Sequence, residues 1–106
     1  MDNEISRILN LLSNAKNTEQ KASVCIGLSM TIILNPDYVM RAILIDKFKQ
    51  VLDKSHLDLD TKEFVKKFLK DDPKELIEYV NKLDVDQSKK YVFIKDIRDV
   101  YGYNSN

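Results

Sequence analysis

Few side chains in this sequence could do chemistry, and they are scattered. His56 is the sole histidine, beside Ser55 and close to Asp53, Asp58 and Asp60. A general base needs a carboxylate to orient it and a nucleophile within reach. No residue spacing here sets up that arrangement, so His56 reads as a solvated loop histidine. Cys25, the sole cysteine, lies between Val24 and Ile26. A reactive thiolate wants a cationic, partly exposed setting; Cys25 reads instead as a small buried hydrophobe. Asp58-x-Asp60 and Asp84-x-Asp86-x-Ser88 resemble the start of calcium loops. An EF-hand continues with Gly at its sixth position and Glu at its twelfth. Counted from Asp84, those positions are Lys89 and Lys95; counted from Asp58, they are Glu63 and Leu69. Gly27 and Gly102 are the only glycines, which leaves no phosphate-binding loop. No H-E-x-x-H or C-x-x-C pattern occurs. The expectation is no catalytic residue, no metal ligand, no cofactor and no enzyme.

Charge narrows the partners. Lys plus Arg and Asp plus Glu number 17 each. A neutral chain has no net field to hold a phosphate backbone, so nucleic acid is not an expected partner. Lys62, Lys66, Lys67, Lys70 and Lys74 are interleaved with Glu63, Asp71, Asp72 and Glu75, the pattern of a solvated helix face. A helix-turn-helix over residues 61–83 would carry Glu75 and Glu78 where a groove reader wants Arg, Asn or Gln. The first 45 residues hold four acids and four bases, so the first part of the chain reads as more buried than the second. A lone cysteine fits a reducing compartment, and the acidic Met-Asp-Asn-Glu start does not read as a signal peptide. The longest uncharged run, Ala22–Pro36, is fifteen residues, short of the ~20 that a membrane span needs. A cytoplasmic protein with no membrane partner is expected.

The elements that would position these residues are helices. Two glycines and two prolines leave little material for hairpin turns. Ile5, Ile8, Leu9 and Leu12 give one apolar stripe to a helix at 3–15. A second helix, with Thr18 as its cap, runs to about Leu34 and is apolar nearly all round, as central helices are. Asn35 as cap and Pro36 at the first helical position start a third helix reaching Lys54, striped by Met40, Leu44, Phe48, Val51 and Leu52. Asp60-Thr61-Lys62-Glu63 forms a capping-box pattern opening a fourth helix at 61–70. Asp72-Pro73-Lys74-Glu75 opens a fifth at 73–83. A sixth spans 88–101 with Gly102 as its stop. Tyr91-Val92-Phe93-Ile94 alone would suit a strand, but no second strand candidate exists to pair with it. The fold expected is all-α: a compact bundle of about six short helices, with 1–106 as one domain.

From Asn35 onward this layout resembles the TerB-like helical domain of tellurite-resistance proteins and co-chaperones. The parts that match are Asn35-Pro36-Asp37, the long third helix, Leu57-Asp58-Leu59-Asp60, Asp72-Pro73-Lys74-Glu75 and the sixth helix ending at Tyr101-Gly102. The resemblance spans about seventy residues and implies a helical domain. The Asp-Gly turns that the family associates with metal are replaced here by Asn-Pro-Asp and Tyr-Gly-Tyr, so no metal ligands carry over. Size and architecture also resemble the bacteriocin immunity proteins, which are small helical bundles. The richness in Lys, Asn, Ile and Asp resembles the products of AT-rich bacterial or phage genomes.

The feature that calls for explanation is the apolar excess of residues 22–45. Surface left uncovered there would mark an interface, with Leu28, Ile32, Val39 and Ile43 as its candidate residues. The function expected is a protein-binding module: an adaptor, inhibitor or immunity-type factor acting by occlusion. The alternative is a structural subunit that self-associates, as a homodimer, through the same surface.

Overall fold

The computed structural model describes the backbone of residues 2–105 and the side chains of residues 3–100. Six helices follow one another: α1 (Asp2–Asn14), α2 (Thr18–Leu34), α3 (Tyr38–Lys54), α4 (Leu59–Lys66), α5 (Pro73–Asn81) and α6 (Gln87–Ser105). The described residues contain no strand, so the chain is the all-α bundle its periodicity implies. Among the described residues, no helix is long and apolar enough to cross a membrane.

α2 is the hub. It packs most extensively on α6, α6 packs on α5, and α1 and α3 lean on α2 from other sides. Ala22, Cys25, Ile26, Ile32 and Ile33 are all buried, which is how a helix apolar nearly all round is satisfied. Phe93 and Ile97 of α6, Leu76 and Val80 of α5, and Val65 of α4 complete the core. Each fully buried aliphatic or aromatic side chain of this kind contributes roughly 1.5–3 kcal/mol relative to exposure. Phe64, Phe68 and Tyr79 add a ring cluster, with Phe68 5.3 Å from Phe64 and 4.9 Å from Tyr79 between centroids. The molecule measures 38 × 34 × 19 Å. Its short dimension leaves room for two layers of helices at the ~10 Å spacing of packed helices and no more, so a helix at the edge has no third layer to cover it.

Two polar side chains, Ser29 and Thr61, are buried in this core among the described residues. Ser29 is fully buried in α2, and its hydroxyl lies 2.6 Å from the carbonyl oxygen of Phe68 and 3.0 Å from that of Cys25. The short contact gives the proton to Phe68 and ties the middle of α2 to the turn that follows α4.

Several helix starts differ from those read in the sequence. Asn17, not Thr18, caps α2, its side chain accepting from the Gln20 N–H at 2.9 Å. Asn35 ends α2, and Asp37 caps α3, accepting from the N–H groups of Val39 and Met40 at 3.0 and 3.3 Å. Pro36 therefore lies in the turn and α3 begins at Tyr38. Asp58, not Asp60, caps α4: one oxygen accepts from the Thr61 N–H at 3.1 Å and the other from the Thr61 hydroxyl at 2.7 Å. The earlier start turns Thr61 and Val65 into the core. α4 also ends at Lys66, short of Lys70, because turn hydrogen bonds fold Phe68 and Leu69 inward together. Asp72 caps α5 with Pro73 at its first position, as the sequence implies, although the helix closes at Asn81 rather than Leu83. α6 starts at Gln87, includes Tyr91–Ile94 and runs through Gly102 to Ser105. No glycine has a positive φ among the described residues, so Gly102 does not act as a stop.

Two outcomes follow. Ser29→Ala should cost about 0.5–1.5 kcal/mol in urea denaturation, because it removes the hydrogen bond from α2 and leaves the Phe68 carbonyl with the Lys70 N–H, at 2.9 Å, as its donor; a loss below about 0.5 kcal/mol would show that the serine bond adds nothing to it. Asp58→Ala should lower Tm more than Asp60→Ala. The Thr61 hydroxyl and N–H hold the Asp58 carboxyl below its ordinary value of 3.8. That contribution is present above the ordinary value and is lost as pH falls through the lowered one. The Asp58→Ala deficit should therefore shrink in acid, and an equal effect from Asp60→Ala would move the cap.

Candidate protein-interaction surface

The turn between α2 and α3 decides what the second of these helices presents. The Asn35 N–H closes on the Ile32 carbonyl at 3.2 Å, and the Asn35 side chain accepts from the Asp37 N–H at 2.9 Å. With Asp37 then capping α3, the new helix leaves the corner with no buried residue before Phe48. Its first turns are nonetheless apolar. Tyr38 is 72% exposed, Val39 66%, Ile43 52% and Met40 40%, with Leu34 47% exposed at the end of α2. Together these five leave on the order of 500 Å² of apolar surface open, the size of the largest patch on an ordinary monomer and often a functional one. The Arg41 guanidinium stacks 4.8 Å from the Tyr38 ring centre. Its Nε is buried with no hydrogen-bond partner among the described residues.

Beside this ridge runs a groove of about 170 Å³, walled by Ile5 and Ile8 of α1, Leu28 of α2, and Leu44 and Phe48 of α3. Glu4, Arg7 and Lys47 stand at its rim. The volume suits one bulky apolar side chain, with an ionic fringe of both signs.

The four residues expected at an interface separate here. Val39 and Ile43 are on the exposed ridge. Leu28 is half-buried and forms groove wall. Ile32 is only 3% exposed, a core residue that also lines the groove between α1 and α3. Tyr38, Met40 and Leu34 are the members that sequence reasoning missed; their signal was nearness to the Asn-Pro-Asp turn, where two helices part and neither covers the corner.

Of the residues considered for chemistry, His56 and Asp58 line one pocket, with Ser13, Lys21 and Thr61, and Cys25 is not part of it. His56 is exposed in the α3–α4 connection, and the nearby Asp58 spends both carboxylate oxygens on Thr61. Cys25 is 1% exposed. Burial pushes its thiol from 9.0 up to about 12, against a small opposing effect of the Lys21 charge. No three His, Cys, Asp or Glu side chains converge as a metal site among the described residues. The lysines of the α4 region are engaged locally: Lys66 pairs with Asp53 at 2.8 Å, Lys70 with Glu75 at 3.8 Å, and Lys62 donates to the Asp53 carbonyl at 3.0 Å. Such exposed pairs add little stability, but they offset the positive charge locally. Compared with protein-family models, with curated proteins and with solved structures, the chain matches none.

Cys25 supplies a test of the core beneath this surface. At about pH 8, alkylation of the thiol should proceed only through unfolding, at the rate read independently by denaturant-jump kinetics. The raised folded value also has a sign. Above 9.0 the unfolded thiol ionises while the folded one keeps its proton up to about 12, so stability should fall with rising pH across that window. Fast labelling without unfolding, or a Cys25→Ala variant with the same alkaline loss, would contradict it.

Proposed function

We propose that this chain is a protein-binding module that acts by occlusion, laying the α3 ridge and its groove against another protein and covering what lies beneath. The observation that carries the reading is the first half of α3. α3 begins Tyr-Val-Met with all three side chains exposed, apolar surface that its own fold does not use, while Leu44 and Ile45 are half-buried and Phe48 is its first buried residue. Apolar surface of this extent, edged by charges of both signs, suits a protein partner better than a phosphate backbone or a lipid surface. An inhibitor or immunity-type factor is the form that fits best. Such a protein needs a face and a rigid support and no reacting group, and the support here is the α2–α6 core. The lone cysteine agrees with a reducing, cytoplasmic setting. No reaction is assigned.

Val39→Asp with Ile43→Asp should leave the helical circular dichroism unchanged, because both side chains face solvent in the isolated chain. The doubly substituted protein should lose a partner that the wild type retains in co-purification from the source organism, identified by mass spectrometry. Tyr91→Asp, on exposed α6 surface, should keep it. Equal retention by wild type and the double variant would reject this surface.

A further inference from the structure

We infer that the protein seated on this face is a second copy of the same chain, paired about a two-fold axis with α3 antiparallel to α3. This rests on the protein-binding reading: the second copy covers the same face when no other protein occupies it. The argument starts from the order of features along one helix. The exposed ridge comes first, at Val39, Met40 and Ile43, and the groove wall follows within two turns, at Leu44 and Phe48. A two-fold contact requires that what one copy offers, the other receives at the mirrored position. Reversing α3 about residues 42–43 sets Met40 of each copy level with Leu44 of the other, and brings Ile43 beside its own counterpart near the axis. At ~1.5 Å per residue, Met40 and Leu44 lie about 3 Å to either side of that axis and Phe48 about 9 Å from it, within reach of the intervening side chains. One bulky apolar side chain from each copy then fills the groove of the other.

Charge supports the same register. From the cap of α3 as far as residue 47 the signs run Asp37, Arg41, Asp46, Lys47, with Lys49, Asp53 and Lys54 beyond. Reversal about residue 42 sets Asp37 of one copy level with Lys47 of the other and brings Arg41 within a turn of Asp46. Residues 37–47 are therefore complementary to themselves when reversed, and a chain of zero net charge adds no long-range repulsion between copies. With on the order of 500 Å² of ridge open on each copy, the contact falls below the ~800 Å² per partner of a standard-size interface, which makes it a weak, concentration-dependent one. A parallel arrangement would set Asp37 on Asp37 and leave both grooves empty.

The test is light scattering on the full chain over a dilution series from about 100 μM to about 1 μM, the range in which a contact of this size separates from non-association. The wild type should show twice its 12.4 kDa mass at the upper end. Ile43→Asp should be monomeric throughout with unchanged circular dichroism. Ile43→Cys should form an inter-chain disulfide under mild oxidant, because its position is near the axis, whereas Tyr91→Cys should not. A dimer that survives Ile43→Asp, or that fails to cross-link through Ile43→Cys, overturns the pairing. A wild type that stays monomeric at every concentration also overturns it. If the Val39→Asp, Ile43→Asp protein still loses a co-purified partner in that case, the occlusion reading stands with another protein on the face. If it loses nothing, both fail.

Discussion

The hydroxyl of Ser29 and the carbonyl of Phe68 meet inside the core at 2.6 Å, and much of the architecture depends on their doing so. Within the turn after α4 the Phe68 carbonyl accepts from the Lys70 N–H at 2.9 Å, and the Ser29 hydroxyl is its second donor, from across the core. That second bond holds the turn against α2, with Phe68 and Leu69 inside together. Phe68 then organises Phe64 and Tyr79 around it, and α5 is carried onto α6. A serine in the middle of an otherwise apolar helix is an element of specificity: it fixes which turn lies against α2 and at what height.

Helix existence was legible in the sequence, and helix starts were legible where two signals agreed. Asp72 and Pro73 point to one start, since the acid caps and the proline suits the next position. Where two capping residues stand within three positions, local rules do not choose between them. Asn35 and Asp37 are such a pair, and Asp58 and Asp60 another. Tertiary packing chooses: starting α4 at Leu59 turns Thr61 and Val65 toward the core, and the Thr61 hydroxyl then locks onto Asp58. Gly102 failed as a stop for a related reason. Glycine ends a helix when the chain needs a left-handed residue, and α6 makes no such turn there.

The candidate surface was half legible. α2 and the first half of α3 are alike in sequence, each apolar on more than one side, and periodicity cannot say which of two such helices will be covered. The thickness of the molecule decides it. Two layers give α2 neighbours in α1, α3 and α6, and leave the start of α3 outside them. Ile32 and Ile43 are the same residue type on adjacent helices, and they end on opposite sides of that division.

The pairing of α2 with α6 has a consequence for how the protein is made. The ribosome releases α2 long before α6, and everything from Leu34 to Gln87 is synthesised in between. During that interval the most apolar helix of the chain lacks the neighbour that covers most of it. α1 and α3 offer only partial shelter. The nascent chain is thus a natural client for chaperones that hold exposed apolar segments, and native structure must wait for the sixth helix to emerge.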